Sequence, residues 1–97
     1  MKVVIQFCID ADIIDCPEHV IDRLTYYQNE FIDWLFDKKN DHPYWVIENG
    51  KKILCCYRSE AFVEWLNRFV LKDSPQKAAV VEKEITTWDE NLPLIFF

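Results

Sequence analysis

A single dipeptide constrains this chain more than any other feature. Asn49-Gly50 lies between two runs rich in β-branched and aromatic residues, Tyr44-Trp45-Val46-Ile47-Glu48 and Lys51-Lys52-Ile53-Leu54-Cys55-Cys56-Tyr57. A two-residue hairpin loop of type I′ requires positive φ at both central positions, and Asn-Gly supplies it at least steric cost. The spacing predicts a hairpin with Glu48 opposite Lys51, Val46 opposite Ile53 and Trp45 opposite Leu54. Opposite charges then meet at the solvent end and apolar groups meet further in. The hairpin uses the chain's 1 glycine, so a glycine-rich phosphate loop cannot be built elsewhere.

The rest of the secondary structure follows from periodicity. Val3, Ile5, Phe7 and Ile9 alternate with Val4, Gln6 and Cys8. That pattern predicts a strand, interior because both faces are mostly apolar. Residues 10–15 read as a connecting loop. Asp15-Cys16-Pro17-Glu18 has the composition of a helix start. The helix is expected to run to about Lys39, burying Val20, Leu24, Tyr27, Phe31, Trp34 and Leu35. Ser59 is expected to cap a second helix with Phe62, Trp65, Leu66 and Phe69 inward, and Glu64 paired with Arg68 outside. Ala78, Val81, Ile85, Trp88 and Leu92 recur at helical spacing after Ser74-Pro75, which predicts a third helix. Pro93–Phe97 reads as a terminal strand docked at a sheet edge, since five such residues are costly to leave in water.

The predicted order is β-α-β-β-α-α-β. It implies an α+β domain spanning residues 1–97, a four-stranded, largely antiparallel sheet packed with two to three helices. A strand at residues 77–86 would turn this into a ferredoxin-like variant. The length of 97 residues suits one domain. The 4 cysteines have no disulfide-framework spacing and are expected to be reduced. The apolar run Val3–Ile9 is too short for a membrane span and lacks the pattern of a signal peptide, so a cytoplasmic location is expected.

Catalytic and metal signatures are incomplete. Phe7-Cys8-Ile9-Asp10-Ala11-Asp12 resembles the first-strand motif of haloacid dehalogenase-type phosphotransferases, which place a nucleophilic Asp and a second Asp around Mg²⁺. The resemblance covers six residues; Ile13 departs from the motif and the chain is too short for that fold. Asp10, Asp12 and Asp15 lack the central glycine of a calcium loop. Cys16, His19, Cys55 and Cys56 do not form the two knuckles of a zinc site, because adjacent Cys55 and Cys56 in a strand point to opposite faces. The expectation is no enzyme activity, no bound metal and no cofactor.

Charge carries the functional expectation. The net charge is -6, and all of the excess falls in residues 1–48, which hold ten acids against four bases. That distribution disfavours direct binding of nucleic acid or an anionic membrane. On a continuous first helix, Glu18, Asp22, Tyr26, Glu30, Asp33 and Asp37 fall on one side, opposite the apolar stripe. Asp10, Asp12 and Asp15 lead into that ridge. Outward helix faces usually mix signs, because like charges four residues apart repel. These nine residues are therefore the expected contact surface for a basic protein partner, with Tyr26 at its centre. The corresponding function is a bacterial immunity or antitoxin-type inhibitor that neutralises a basic nuclease toxin. A phage-type DNA mimic acting on a host DNA-binding protein, or a structural subunit without catalytic activity, are the alternatives.

Overall fold

The computed structural model describes residues 1–97. Strand β1 (Lys2–Gln6) alternates as its sequence predicts, with Val3 and Ile5 on one face and Val4 on the other, all fully buried. It is an interior strand, flanked on both sides. The chain then turns at Cys8-Ile9, closed by Phe7 N–H donating to the Asp10 carbonyl at 2.8 Å, and returns as β2 (Ala11–Asp15), antiparallel to β1. Residues 11–15 are thus a strand and not the expected loop. The turn contains no glycine or asparagine, and the inward Asp12 interrupts an otherwise apolar pattern, so local signals conceal this hairpin.

The expected long helix is two helices. Pro17 caps α1 (Glu18–Ile21); the backbone leaves helical geometry at Arg23, and α2 (Leu24–Leu35) follows. Lys38 and Lys39 lie in a turn beyond its end. Val20, Leu24, Phe31 and Leu35 of the predicted stripe are buried, and Tyr27 and Trp34 pack beside them half-buried.

Asn49 and Gly50 take φ values of 52° and 74°, and the predicted hairpin forms from β3 (Trp45–Glu48) and β4 (Lys51–Cys55). Glu48 faces Lys51 as expected. A bulge then shifts the register, so Val46 opposes Leu54 and Trp45 opposes Cys55. The shift accompanies an anchor: Lys52 Nζ reaches the Lys38 carbonyl and the Asp41 carboxylate at 2.6 Å each, and Trp45 Nε1 donates to the Asn40 carbonyl at 2.8 Å. The hairpin stands as its own two-stranded sheet, separate from the main one.

Helix α3 (Ser59–Trp65) continues into a wider π turn, Leu66–Val70, closed by Leu71 N–H on the Leu66 carbonyl at 2.7 Å. The extra residue per turn changes the helical phase. Phe62, Trp65 and Leu66 are buried, but Phe69 is exposed, against expectation. Ser59 does not cap the helix; its hydroxyl donates to Asp12. Glu64 likewise accepts from the Tyr44 hydroxyl and forms no ion pair with Arg68.

Residues 79–85 form β5 (Ala79–Ile85), not a third helix, so the strand alternative for this region holds. Most of β5 is exposed and bulged, which removes the period-two pattern; pairing with β2 overrides the helix-forming composition. β6 (Leu94–Phe96) docks parallel to β1 at the sheet edge, as expected. The main sheet has the order β5-β2-β1-β6, with one parallel pair. The α+β class, a four-stranded mostly antiparallel sheet with three helices, is the fold observed. The observed strand-strand opening replaces both the predicted element order and its ferredoxin-like variant.

Helices cover one face of this sheet. Phe31 sits at the centre of that layer, with ring centroids of Phe62 at 5.3 Å, Tyr57 and Phe97 at 5.8 Å and Trp65 at 5.9 Å. On the opposite face Val4, Ala11 and Ile13 are covered by Ile85, Trp88 and Leu92. No helix is long and apolar enough to cross a membrane. Phe31→Ala should cost about 3–5 kcal/mol, because it deletes the ring that four others pack against. Ile47→Ala, on the exposed side of the hairpin, should change stability by less than about 0.5 kcal/mol. Urea denaturation of both variants measures the contrast.

Candidate functional site

Folding sorts the nine expected contact residues into two groups. Glu18, Asp22, Tyr26, Glu30, Asp33 and Asp37 are exposed. Asp12 is fully buried and cannot meet a partner. Its carboxylate points into the helix layer, where Oδ1 accepts from Arg58 Nη2 at 2.8 Å and from the Glu84 backbone N–H at 2.9 Å, and Oδ2 accepts from the Ser59 hydroxyl at 2.5 Å. The same Arg58 nitrogen binds Asp10 at 2.8 Å. Asp15 pairs with the Met1 ammonium at 2.5 Å. The Asp10–Asp15 stretch is therefore a neutralised structural segment, not the lead-in to an acidic surface.

Burial pushes the Asp12 carboxyl upward, but the hydrogen bonds from Arg58, Ser59 and Glu84 outweigh it and hold the group below its ordinary 3.8. Glu84 pays a conformational cost to take part: its φ is 55°, left-handed for a non-glycine residue. The strain falls where β5 is bulged against β2, with the Glu84 N–H turned inward onto Asp12.

The exposed group forms the ridge, though on more than one axis. Glu18 and Asp22 belong to α1 and its C-terminal cap; Asp37 lies past α2 in the following turn. Tyr26, Glu30 and Asp33 remain on a common face of α2, within an arc of about 60° at 100° per residue. None of these five acids joins any ion pair in the molecule. Tyr26 is 48% exposed, and the Arg23 guanidinium lies over its ring at 4.2 Å from the centroid. Arg23 is the one Lys or Arg between residues 3 and 37, so the ridge carries a single such cation, placed over its central ring.

A second surface feature was not legible in the sequence. An open cleft of about 580 Å³ is walled by Phe7, Tyr44, Tyr57 and Phe97, with Arg58 and Glu60 at its polar end. Arg58 packs over the Phe7 ring at 4.3 Å. Glu60 is paired with Lys83 at 2.6 Å. Tyr44 is held protonated by its burial and by the Glu64 carboxylate beside its hydroxyl. Its walls suit an apolar group.

Of the nucleophile and base candidates, Cys16, Cys55 and His42 have structural surroundings, while Cys8, Cys56 and His19 are exposed. Burial pushes the Cys16 thiol up to about 11, and burial also raises Cys55. Thiols so placed stay protonated, whereas the thiolate is the reactive form. His42 lies between Trp34 and Trp45, with ring centroids at 5.0 and 5.2 Å. Its Nδ1 accepts the Tyr44 backbone N–H at 3.2 Å, so Nε2 carries the proton and donates to the Leu35 carbonyl at 2.8 Å. Both nitrogens pin the hairpin to the end of α2. No three His, Cys, Asp or Glu side chains converge in a geometry that could hold a metal ion.

No known protein family, curated protein or solved structure matches the chain.

Asp12→Ala should destabilise the fold by about 3–5 kcal/mol, since it leaves Arg58 with one carboxylate and the Glu84 N–H with none. The Asp12 carboxyl is depressed in the folded state. Its contribution is therefore complete above 3.8 and is lost as pH falls from there through the lower folded value. Thermal melts of wild type against Asp12→Ala should differ most near neutrality and converge in that acid window.

Proposed function

We propose that the chain is a protein-binding module whose contact surface is the acidic ridge of Glu18, Asp22, Tyr26, Glu30 and Asp33, and that its partner is a basic protein. The observation that carries this reading is the set of unpaired ridge carboxylates. Asp10, Asp12, Asp15, Asp41 and Glu60 have cationic partners within 2.8 Å, and the acids of the second half that lack one lie among seven bases, whereas the ridge has Arg23 alone. A surface that keeps like charges together without neutralising them gives up stability by a few tenths of a kcal/mol per pair. It gains an electrostatic field that speeds encounter with an oppositely charged protein.

Within that reading, the partner class that fits best is a nuclease toxin. A nuclease must be cationic where it grips phosphates. A carboxylate ridge presented to that groove competes for it, which makes the chain an immunity or antitoxin-type inhibitor acting in the cytoplasm. Tyr26 is the anchor: a large ring at the centre of a polar rim has the anatomy of an interface hot spot.

Affinity capture from the native cell with immobilised wild-type chain, followed by mass spectrometry, should recover a basic protein that Asp22→Lys/Asp33→Lys does not retain. Its association rate with the wild type should fall steeply with added salt, while the double variant slows association more than it speeds dissociation. Tyr26→Ala should alter stability by no more than about 0.5 kcal/mol and weaken binding by about 2 kcal/mol or more. A salt-independent association rate, or normal binding by Tyr26→Ala, would place the interface elsewhere.

A further inference from the structure

The main sheet has two edges, and they are built differently. β5 is guarded: two register shifts bend it, Glu82, Lys83 and Glu84 line it, and the Glu84 N–H is turned inward to Asp12. β6 carries none of these devices. It pairs with β1 without a bulge, and Leu92–Phe97 contains no ionisable side chain.

The direction of its backbone groups can be read from two hydrogen bonds. Val4 N–H donates to the Pro93 carbonyl and Phe97 N–H to the Gln6 carbonyl, both at 2.9 Å. Positions 93, 95 and 97 therefore face β1, and the N–H and C=O groups of Leu94 and Phe96 face away from it. Of these four groups the Phe96 carbonyl alone has a partner, Gln28 Nε2 at 2.6 Å. The side chains repeat the pattern: Leu94 and Phe96 are 43% and 56% exposed, and Ile95 between them is buried.

We propose that β6 is the strand through which two copies of this chain pair, antiparallel about a two-fold axis at Ile95, to form one continuous sheet. The segment is self-complementary in that register. Leu94 of each copy lies opposite Phe96 of the other, so each exposed apolar side chain meets another. Each such couple exchanges two backbone hydrogen bonds, and the Phe96 carbonyl accepts one on the lone pair that Gln28 leaves free. Side-chain chemistry selects the same occupant: Leu94 and Phe96 are apolar and no side chain along residues 92–97 is charged, so a matching apolar strand complements this edge where a strand of basic side chains would find no side-chain carboxylate. The pairing uses the one free edge of β6 in each copy, so the two-fold arrangement closes at two copies.

Sedimentation velocity of the full chain across a concentration series tests this. Wild type should show a monomer–dimer equilibrium. Leu94→Glu and Phe96→Lys should each weaken it by about tenfold or more, with circular dichroism and melting temperature unchanged because both side chains are exposed. An equimolar mixture of the two variants should dimerise more tightly than either alone. Mixing sets the new carboxylate opposite the new ammonium on one side of the axis and keeps a native Leu94–Phe96 couple on the other. A wild type that stays monomeric at every attainable concentration, a dimer that neither variant weakens, or a mixture no tighter than its components would each overturn the proposal.

Discussion

One buried carboxylate ties this molecule together. Asp12 lies in the middle of β2, has no contact with solvent and carries a negative charge inside the protein. Such a charge is tolerated only when counter-charge and hydrogen bonds replace the lost water. Here the replacements come from distant parts of the chain: Arg58 and Ser59 at the start of α3, and the Glu84 N–H at the bulge of β5. Satisfying that one group fixes where α3 begins on the sheet and where β5 breaks its register. It also places Arg58 over Phe7, and with it one wall of the aromatic cleft.

The same economy of cations shapes the surface. Arg58 is taken by Asp10 and Asp12, Lys83 by Glu60, and Lys52 by the 38–41 turn that anchors the hairpin. Lys77 closes carbonyls at the end of the π turn, Leu71 and Lys72. Each is held away from α2 by a structural task, and Arg23 is stacked on Tyr26. No ion pair joins a cation to the outer face of α2, and that face stays acidic. Its inner face is held by the aromatic layer around Phe31, so Tyr26, Glu30 and Asp33 are presented on a packed helix and not on a loop.

Where sequence reading succeeded, the signal was local and had a single physical cause. Asn49-Gly50 specified its turn because few other residues adopt positive φ there. Val3–Ile5 announced an interior strand because both of its faces are apolar. The exposed side of α2 was legible from helical spacing, including Tyr26, Glu30 and Asp33. The failures involve partners far along the chain. Asp12 reads as a surface acid because nothing near it in sequence discloses Arg58 or Ser59. A buried aspartate implies such partners, but its burial is itself hidden by a hairpin turn that lacks glycine and asparagine. Regular helical spacing puts Phe69 inside because it cannot anticipate a π turn.

The chain's own sequence determined the α+β class, the Asn49-Gly50 turn, the docking of the apolar terminal strand and the acidic excess of the first half, since propensity, periodicity and charge act over a few residues. Tertiary structure alone decided which strands share a sheet, that residues 79–85 extend beside β2 rather than coil, and which acids reach solvent. The reason is energetic. Exposed, bulged β5 has no strong local preference, so pairing with β2 and the Asp12 network outweigh the helix-forming composition of its residues. A carboxylate's fate depends on whether a guanidinium meets it across the fold. Arg58 meets Asp10 and Asp12, and no cation pairs with Glu30 or Asp33.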